Sequence, residues 1–218
     1  MTTLMLDRPR CALFDAAGRQ FDPAAREWIA GEAPLGEAID LVTAATWLQR
    51  ESGHPLRIPV GVVGTRDASA SQRAAAEAVG RGLAAMGLLV LCGGRTGVME
   101  AVCKGVAEAG GVSIGLLPGR DASDANRYAT YVIATGIGEA RNAIIARAPL
   151  CLVAIGGGFG TLTEVAFGRN YGKVVIGLEN APKAGGVIHV ETPARALEIV
   201  ARCVLGLEDG QDVSEERH

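Results

Sequence analysis

The sequence predicts an α/β protein with a doubly wound, mainly parallel sheet of Rossmann-like arrangement and an N-terminal segment appended to it. Three observations carry that expectation. From Leu56 onward, short apolar runs alternate with segments of helical periodicity. The runs are continuous in the manner of strands covered by helices on both faces of their sheet. Glycine, at 30 of 218 residues, gathers where those runs end, as sharp strand-to-helix turns require.

Residues 1–55 do not follow this rhythm. CALFDAAGRQFD reads as a hairpin turning at Ala17-Gly18, and residues 35–49 have helical periodicity, so 1–55 is expected to pack as an extension on the core formed by 56–207. Within that core, residues 58–63 form the first expected strand, which runs out at Gly64-Thr65-Arg66. A helix follows, with Ala74, Ala78, Val79, Leu83 and Met86 recurring near a period of 3.6. Residues 88–92 read as a strand, 98–109 as a helix stopped by Gly110-Gly111, and 112–117 as a strand. A polar loop over 118–126 precedes a strand at 128–134 and a helix at 138–147. A buried strand at 150–155, a helix at 161–171 and a strand at 173–178 complete the series, and the acidic tail 208–218 is expected to fray.

With 49% apolar residues the chain can bury one substantial core. A net charge of −3 gives no general attraction for nucleic acid, so any phosphate site has to be local. Cys11, Cys92, Cys103, Cys151 and Cys203 form no C-x-x-C pair, which argues against a zinc ribbon or dithiol motif, and no metal site is expected. Cys92 and Cys151 lie in apolar runs and read as small buried hydrophobes. MTTLMLDRPR lacks the apolar centre of a signal peptide, and no run approaches the roughly 20 apolar residues of a membrane span. A cytoplasmic protein is expected.

The stretch CLVAIGGGFGTLTEVAFG, residues 151–168, is the most informative. A strand end, a glycine loop and a helix start together offer unpaired backbone N–H groups and the positive end of a helix dipole. Gly156, Gly157, Gly158 and Gly160, with Phe159 among them, let backbone approach an anion closely, and Thr161 adds a hydroxyl. Gly93, Gly94 and Gly97 repeat the design after an earlier strand, with Arg95 beside them. Neither loop matches G-x-G-x-x-G or G-x-x-x-x-G-K-[ST], so a standard dinucleotide or P-loop site is not indicated, and tight turns alone would also account for these glycines. Glu164 stands in an otherwise apolar helical turn, either complementing the helix dipole or facing the bound anion. Arg141 and Asn142 begin the preceding helix above a strand end, and could meet Glu164 across a cleft.

GGRTGVMEAVCKGVAEAGGVSIGLLPG and TGIGEARNAIIARAPLCLVAIGGGFGTLTE resemble the Rossmann-like family often labelled lysine decarboxylase-like, which includes the LONELY GUY phosphoribohydrolases and the molybdenum-cofactor carrier proteins. The resemblance spans roughly residues 58–205, and its sharpest parts are G-G-x-x-G-x-M at 93–99 and G-G-x-G-T-x-x-E at 157–164. No Schiff-base lysine in a pyridoxal context accompanies it, so decarboxylation is not expected. The resemblance implies that Gly157, Gly158, Gly160 and Thr161 hold a phosphate and that Arg141 and Glu164 form a catalytic pair if the chain cleaves N-glycosidic bonds, a reaction needing no cofactor. In the carrier reading the same cradle binds the phosphate of the molybdenum cofactor and releases the cofactor intact. Asn142 stands where the hydrolases have lysine, and Ile155-Gly156 replaces a proline context, which places the chain nearer the carriers. The resemblance also implies a homodimer or homotetramer, with the helices near Arg141 and Glu164 at the interface.

Overall fold

The computed structural model describes residues 3–31 and 36–207; the acidic tail 208–218 lies outside the described residues. The first sheet is antiparallel. It contains β1 (Leu4–Asp7), β2 (Ala12–Phe14), β3 (Arg19–Asp22), β4 (Glu27–Ala30) and β5 (Glu37–Ile39), in the order β4-β3-β2-β1-β5. The expected turn is present, Gly18 taking φ 79° between β2 and β3. Helical periodicity from residue 35 translates into β5 followed by α1 (Leu41–Arg50), because Asp40 accepts a hydrogen bond from the Thr43 N–H and starts the helix there. Residues 32–35 lie outside the described residues.

The second sheet has seven strands, every adjacent pair parallel: β6 (Val60–Gly64), β7 (Val90–Cys92), β8 (Ser113–Leu117), β9 (Tyr131–Ala134), β10 (Leu152–Ile155), β11 (Val175–Leu178) and β12 (Val187–His189). Between them run α2 (Ala70–Ala85), α3 (Val98–Glu108), α4 (Arg141–Arg147) and α5 (Phe159–Asn170), and α6 (Pro193–Val204) follows. This is the doubly wound α/β architecture. Residues β12 and α6 were not among the expected elements, although Thr192-Pro193 is a helix-start signal: the threonine side chain accepts from the Arg195 N–H and proline occupies the first turn.

Alternation along the strands divides the core. Val60, Val62, Val153 and Ile155 join residues of α1, α2, α3 and α6 in one cluster, whereas Val63, Leu152, Ala154 and Val175 join Ile145 of α4 and Val165 of α5 in another. Successive side chains of a strand point to opposite faces, so each strand is held from both sides. The first cluster also contains Leu4, Leu6, Leu13 and Phe21, so the N-terminal sheet shares the larger core. The turn before β4 and β4 itself close the end of α6, Arg26 donating to the carbonyls of Cys203 and Val204 and the Trp28 indole to that of Leu205.

The strand order β12-β11-β10-β6-β7-β8-β9 has one reversal. From β6 the chain winds toward β9, and from β10 toward β12. The connections that leave the carboxyl ends of the adjacent strands β6 and β10 therefore run in opposite directions, and a crevice opens there as it does at the switch point of other doubly wound sheets.

Candidate functional site

A cleft of about 460 Å³ lies at that switch point. It is lined by residues 64–66 at the end of β6, by Gly158, Phe159, Gly160 and Thr161 at the start of α5, and by Glu139, Arg141 and Asn142 with Met99, Thr163 and Glu164. Strand ends and a helix start thus converge on one volume.

Helix α5 begins at Phe159 with Gly158 as its N-cap, and the first intrahelical backbone bond there runs from the Leu162 N–H to the Gly158 carbonyl. The N–H groups of Phe159, Gly160 and Thr161 consequently have no partner in the helix, at the positive end of its dipole. An added Cβ at Gly158 or Gly160 would meet open space, which leaves room for a ligand against the backbone. Gly156 and Gly157 do different work. Both have positive φ, and an added Cβ would run into the Gln72 side chain at Gly156 and into Thr161 Cβ, at 2.7 Å, at Gly157. They make the turn that aims the helix, and neither lines the cleft.

Arg141 is only 4% exposed and Glu164 only 6%, and Arg141 Nη1 lies 3.3 Å from Glu164 Oε1. The structure therefore brings the two residues into one cleft and into contact. Burial raises the Glu164 carboxyl from 4.5 to about 7; the Arg141 cation opposes the rise and the Glu139 anion adds to it. Arg141 Nε and Asn142 Oδ1 are buried without a hydrogen-bond partner, which is costly for polar atoms unless something else supplies one. Asn142 Nδ2 donates to Thr163 Oγ1 at 3.3 Å, and that hydroxyl donates to the Gly160 carbonyl at 2.6 Å, so the asparagine is tied to the first turn of α5.

The Gly93 loop is placed behind this site. Gly93, Gly94 and Gly97 are buried, Arg95 is half-buried, and none of the four lines the cleft. A Cβ on Gly93 would come within 2.9 Å of Arg141 Nη2, so the glycine makes space for the guanidinium. Asn126 Nδ2 donates to the carbonyls of Gly94 and Arg95, which fixes the loop.

Six lining residues, Gly64, Thr65, Arg66, Met99, Glu139 and Thr163, are not among the site residues expected from the sequence. Arg66 stands in the Gly64-Thr65-Arg66 strand end and Glu139 two residues before Arg141, yet only tertiary structure joins them, Arg66 Nη2 to Glu139 Oε1 at 3.1 Å. Among the described residues no group of three or more His, Cys, Asp or Glu could hold a metal ion, and no helix is long and apolar enough to cross a membrane.

Comparison with known proteins locates this arrangement. Residues 57–202 match the model of the SLOG cluster4 family. The Moco carrier protein from Chlamydomonas reinhardtii is 35% identical, with a TM-score of 0.63, over 69% of this chain and 99% of that one. The molybdenum cofactor binding protein from the phototrophic bacterium Rippkaea orientalis is 31% identical, with a TM-score of 0.61, over 66% of this chain and 96% of that one. A protein of Archaeoglobus fulgidus is 36% identical over 138 residues, 63% of this chain and 91% of the relative.

Proposed function

The chain belongs to the SLOG cluster4 family, and on that premise we propose that its cleft binds a phosphorylated, nucleotide-like small molecule and releases it unchanged, as a carrier of the molybdenum cofactor would. The observation that supports this most is the start of α5 on the cleft wall, where the N–H groups of Phe159, Gly160 and Thr161 have no partner in the helix and Gly158 and Gly160 leave open space against the backbone. Such a cradle, with the Arg141 cation lining the same cleft, fits an anion supplied from outside the chain. The three free N–H groups of α5 would share that anion's oxygens, Thr161 would add its hydroxyl, and Asn142 would hold the first turn of α5 in place through Thr163. Likeness to proteins that bind or carry the molybdenum cofactor makes that cofactor the leading candidate ligand.

A second reading rests on the Arg141–Glu164 pair. A carboxyl titrating at about 7 is matched to general acid–base work at neutral pH. As a nucleoside 5′-monophosphate phosphoribohydrolase of LONELY GUY type, the chain would use Glu164 to stabilise an oxocarbenium-like state and to deprotonate water, with Arg141 holding the phosphate.

One experiment separates the readings. A ligand that binds only the folded state stabilises it by about 2.7 kcal/mol at a hundredfold excess over Kd, so nucleoside monophosphates should raise Tm and the corresponding nucleosides should not. Absence of any such preference defeats both readings. Release of free base, abolished by Glu164→Gln while the Tm rise persists, would establish the hydrolase; stabilisation without base release supports the carrier.

The same proposal includes a homodimer or homotetramer formed through the α4/α5 face, where Ile144, Leu162 and Phe167 are exposed beside the cleft, and a cytoplasmic location.

A further inference from the structure

The two arginines of the cleft are joined by one carboxylate. Glu139 presents Oε1 to Arg66 Nη2 at 3.1 Å and Oε2 to Arg141 Nη2 at 3.9 Å, and Arg141 in turn meets Glu164. The row Arg66–Glu139–Arg141–Glu164 runs from the cleft mouth to its floor. Its two ends differ in character. Arg141 and Glu164 are buried, whereas the side chains of Arg66 and Glu139 are 49% and 60% exposed.

We propose that Arg66 is a second phosphate-gripping residue and that Glu139 is its placeholder, a carboxylate that occupies both guanidinium groups until the oxyanion of a phosphomonoester displaces it. This rests on the reading of the cleft as a phosphate site. An exposed ion pair contributes so little that it yields readily to a better acceptor, and a phosphate dianion offers more charge and more oxygens than a carboxylate. Arg66 is also well placed for the exchange: it follows the end of β6 and lines the same cleft as the start of α5. The Val98 N–H donates to the Thr65 carbonyl at 3.0 Å, which anchors the neighbouring backbone, and the half-exposed Arg66 side chain can turn once its pair with Glu139 is displaced. Glu139 sits in a single turn of 3-10 helix before α4 and is released to solvent by rotation of its own side chain.

The test is a double-mutant cycle on the full chain, read by isothermal titration with inorganic phosphate and, separately, with adenosine 5′-monophosphate. Arg66→Gln should weaken both probes about tenfold, as expected for loss of one charge-assisted hydrogen-bonding group. Glu139→Gln should tighten both. The decisive quantity is the coupling. If Glu139 acts by occupying Arg66, its removal gains several-fold less affinity in the Arg66→Gln background than in wild type. If it acts only by repelling the anion through space, the gain is the same in both backgrounds and the placeholder assignment is overturned. Unchanged affinity in Arg66→Gln, or weakening of the nucleotide alone, overturns the grip on phosphate. Failure of the wild type to bind either probe overturns the phosphate site itself, and this inference with it.

Discussion

At the scale of single residues, Glu164 is the group whose environment departs most usefully from its sequence appearance. In the unfolded chain its carboxyl titrates at the ordinary 4.5, and in the folded chain at about 7, because burial disfavours the charged form more than Arg141 favours it. Between those values the folded state holds a proton that the unfolded state has given up. Stability from this group is therefore greatest below pH 4.5, declines as pH rises to about 7, and is level beyond. Glu164→Gln, which cannot titrate, should remove that part of the decline. Melting temperatures measured from pH 4.5 to 8 should fall more steeply for wild type than for the variant, and parallel curves would show that the carboxyl is not perturbed. The sequence exposed Glu164 and Arg141 through their motif context, since a lone acid in an apolar turn and an arginine above a strand end are visible in one dimension. Arg66 and Glu139 were not legible, because 73 positions separate them and no local pattern links a residue after β6 to one before α4.

At the scale of elements, two glycine loops that look alike in sequence are put to different uses. The loop before α5 opens onto the cleft at Gly158, whose φ of −126° and ψ of −157° suit any residue. The loop before α3 is closed, with Gly93 backing the Arg141 guanidinium. Gly158→Val should then keep the fold and Tm of wild type while weakening phosphorylated ligands, since its branches would project into open space beside the free N–H groups. Gly93→Ala should weaken the same ligands for another reason: the added methyl would push on Arg141 Nη2 and on Met99 Sδ, which lies 2.6 Å from the methyl position. That variant should also lose about 1–3 kcal/mol of stability from overpacking, measurable by urea denaturation. A Gly93→Ala protein with wild-type stability and wild-type affinity would mean that Arg141 needs no such space. Strand and helix existence was readable from periodicity across residues 60–178, but glycine usage was only partly so. Gly80 in α2 and Gly105 in α3 serve no turn; a Cβ on either would strike the backbone of the facing helix, so they set how closely the two helices pack.

At the scale of the whole molecule, the N-terminal sheet is the feature least visible in the sequence, where a single hairpin stood for five strands. Its strands are three or four residues long, too short for a period of two to stand out. One of the pairings is non-local as well, β5 returning to lie beside β1. The solved structures compared above align with only 66% and 69% of this chain while being nearly fully covered themselves, so the parallel-sheet fold occurs without this addition. Here, however, it is integral to the larger core: Leu4, Leu6, Leu13 and Phe21 are at most 1% exposed, and Arg26 and Trp28 close the last turn of α6. Removing residues 1–55 would also remove α1 and uncover the face of α6 that α1 packs against. Each apolar side chain uncovered costs about 1.5–3 kcal/mol, and two or three of them consume most of the roughly 5–15 kcal/mol by which a domain is stable. A chain beginning at residue 56 should therefore bind a hydrophobic dye at room temperature and melt well below the full-length protein, even though the residues of the cleft are all retained. Equal melting temperatures for the two chains would show that the sheet rests on the core without supporting it.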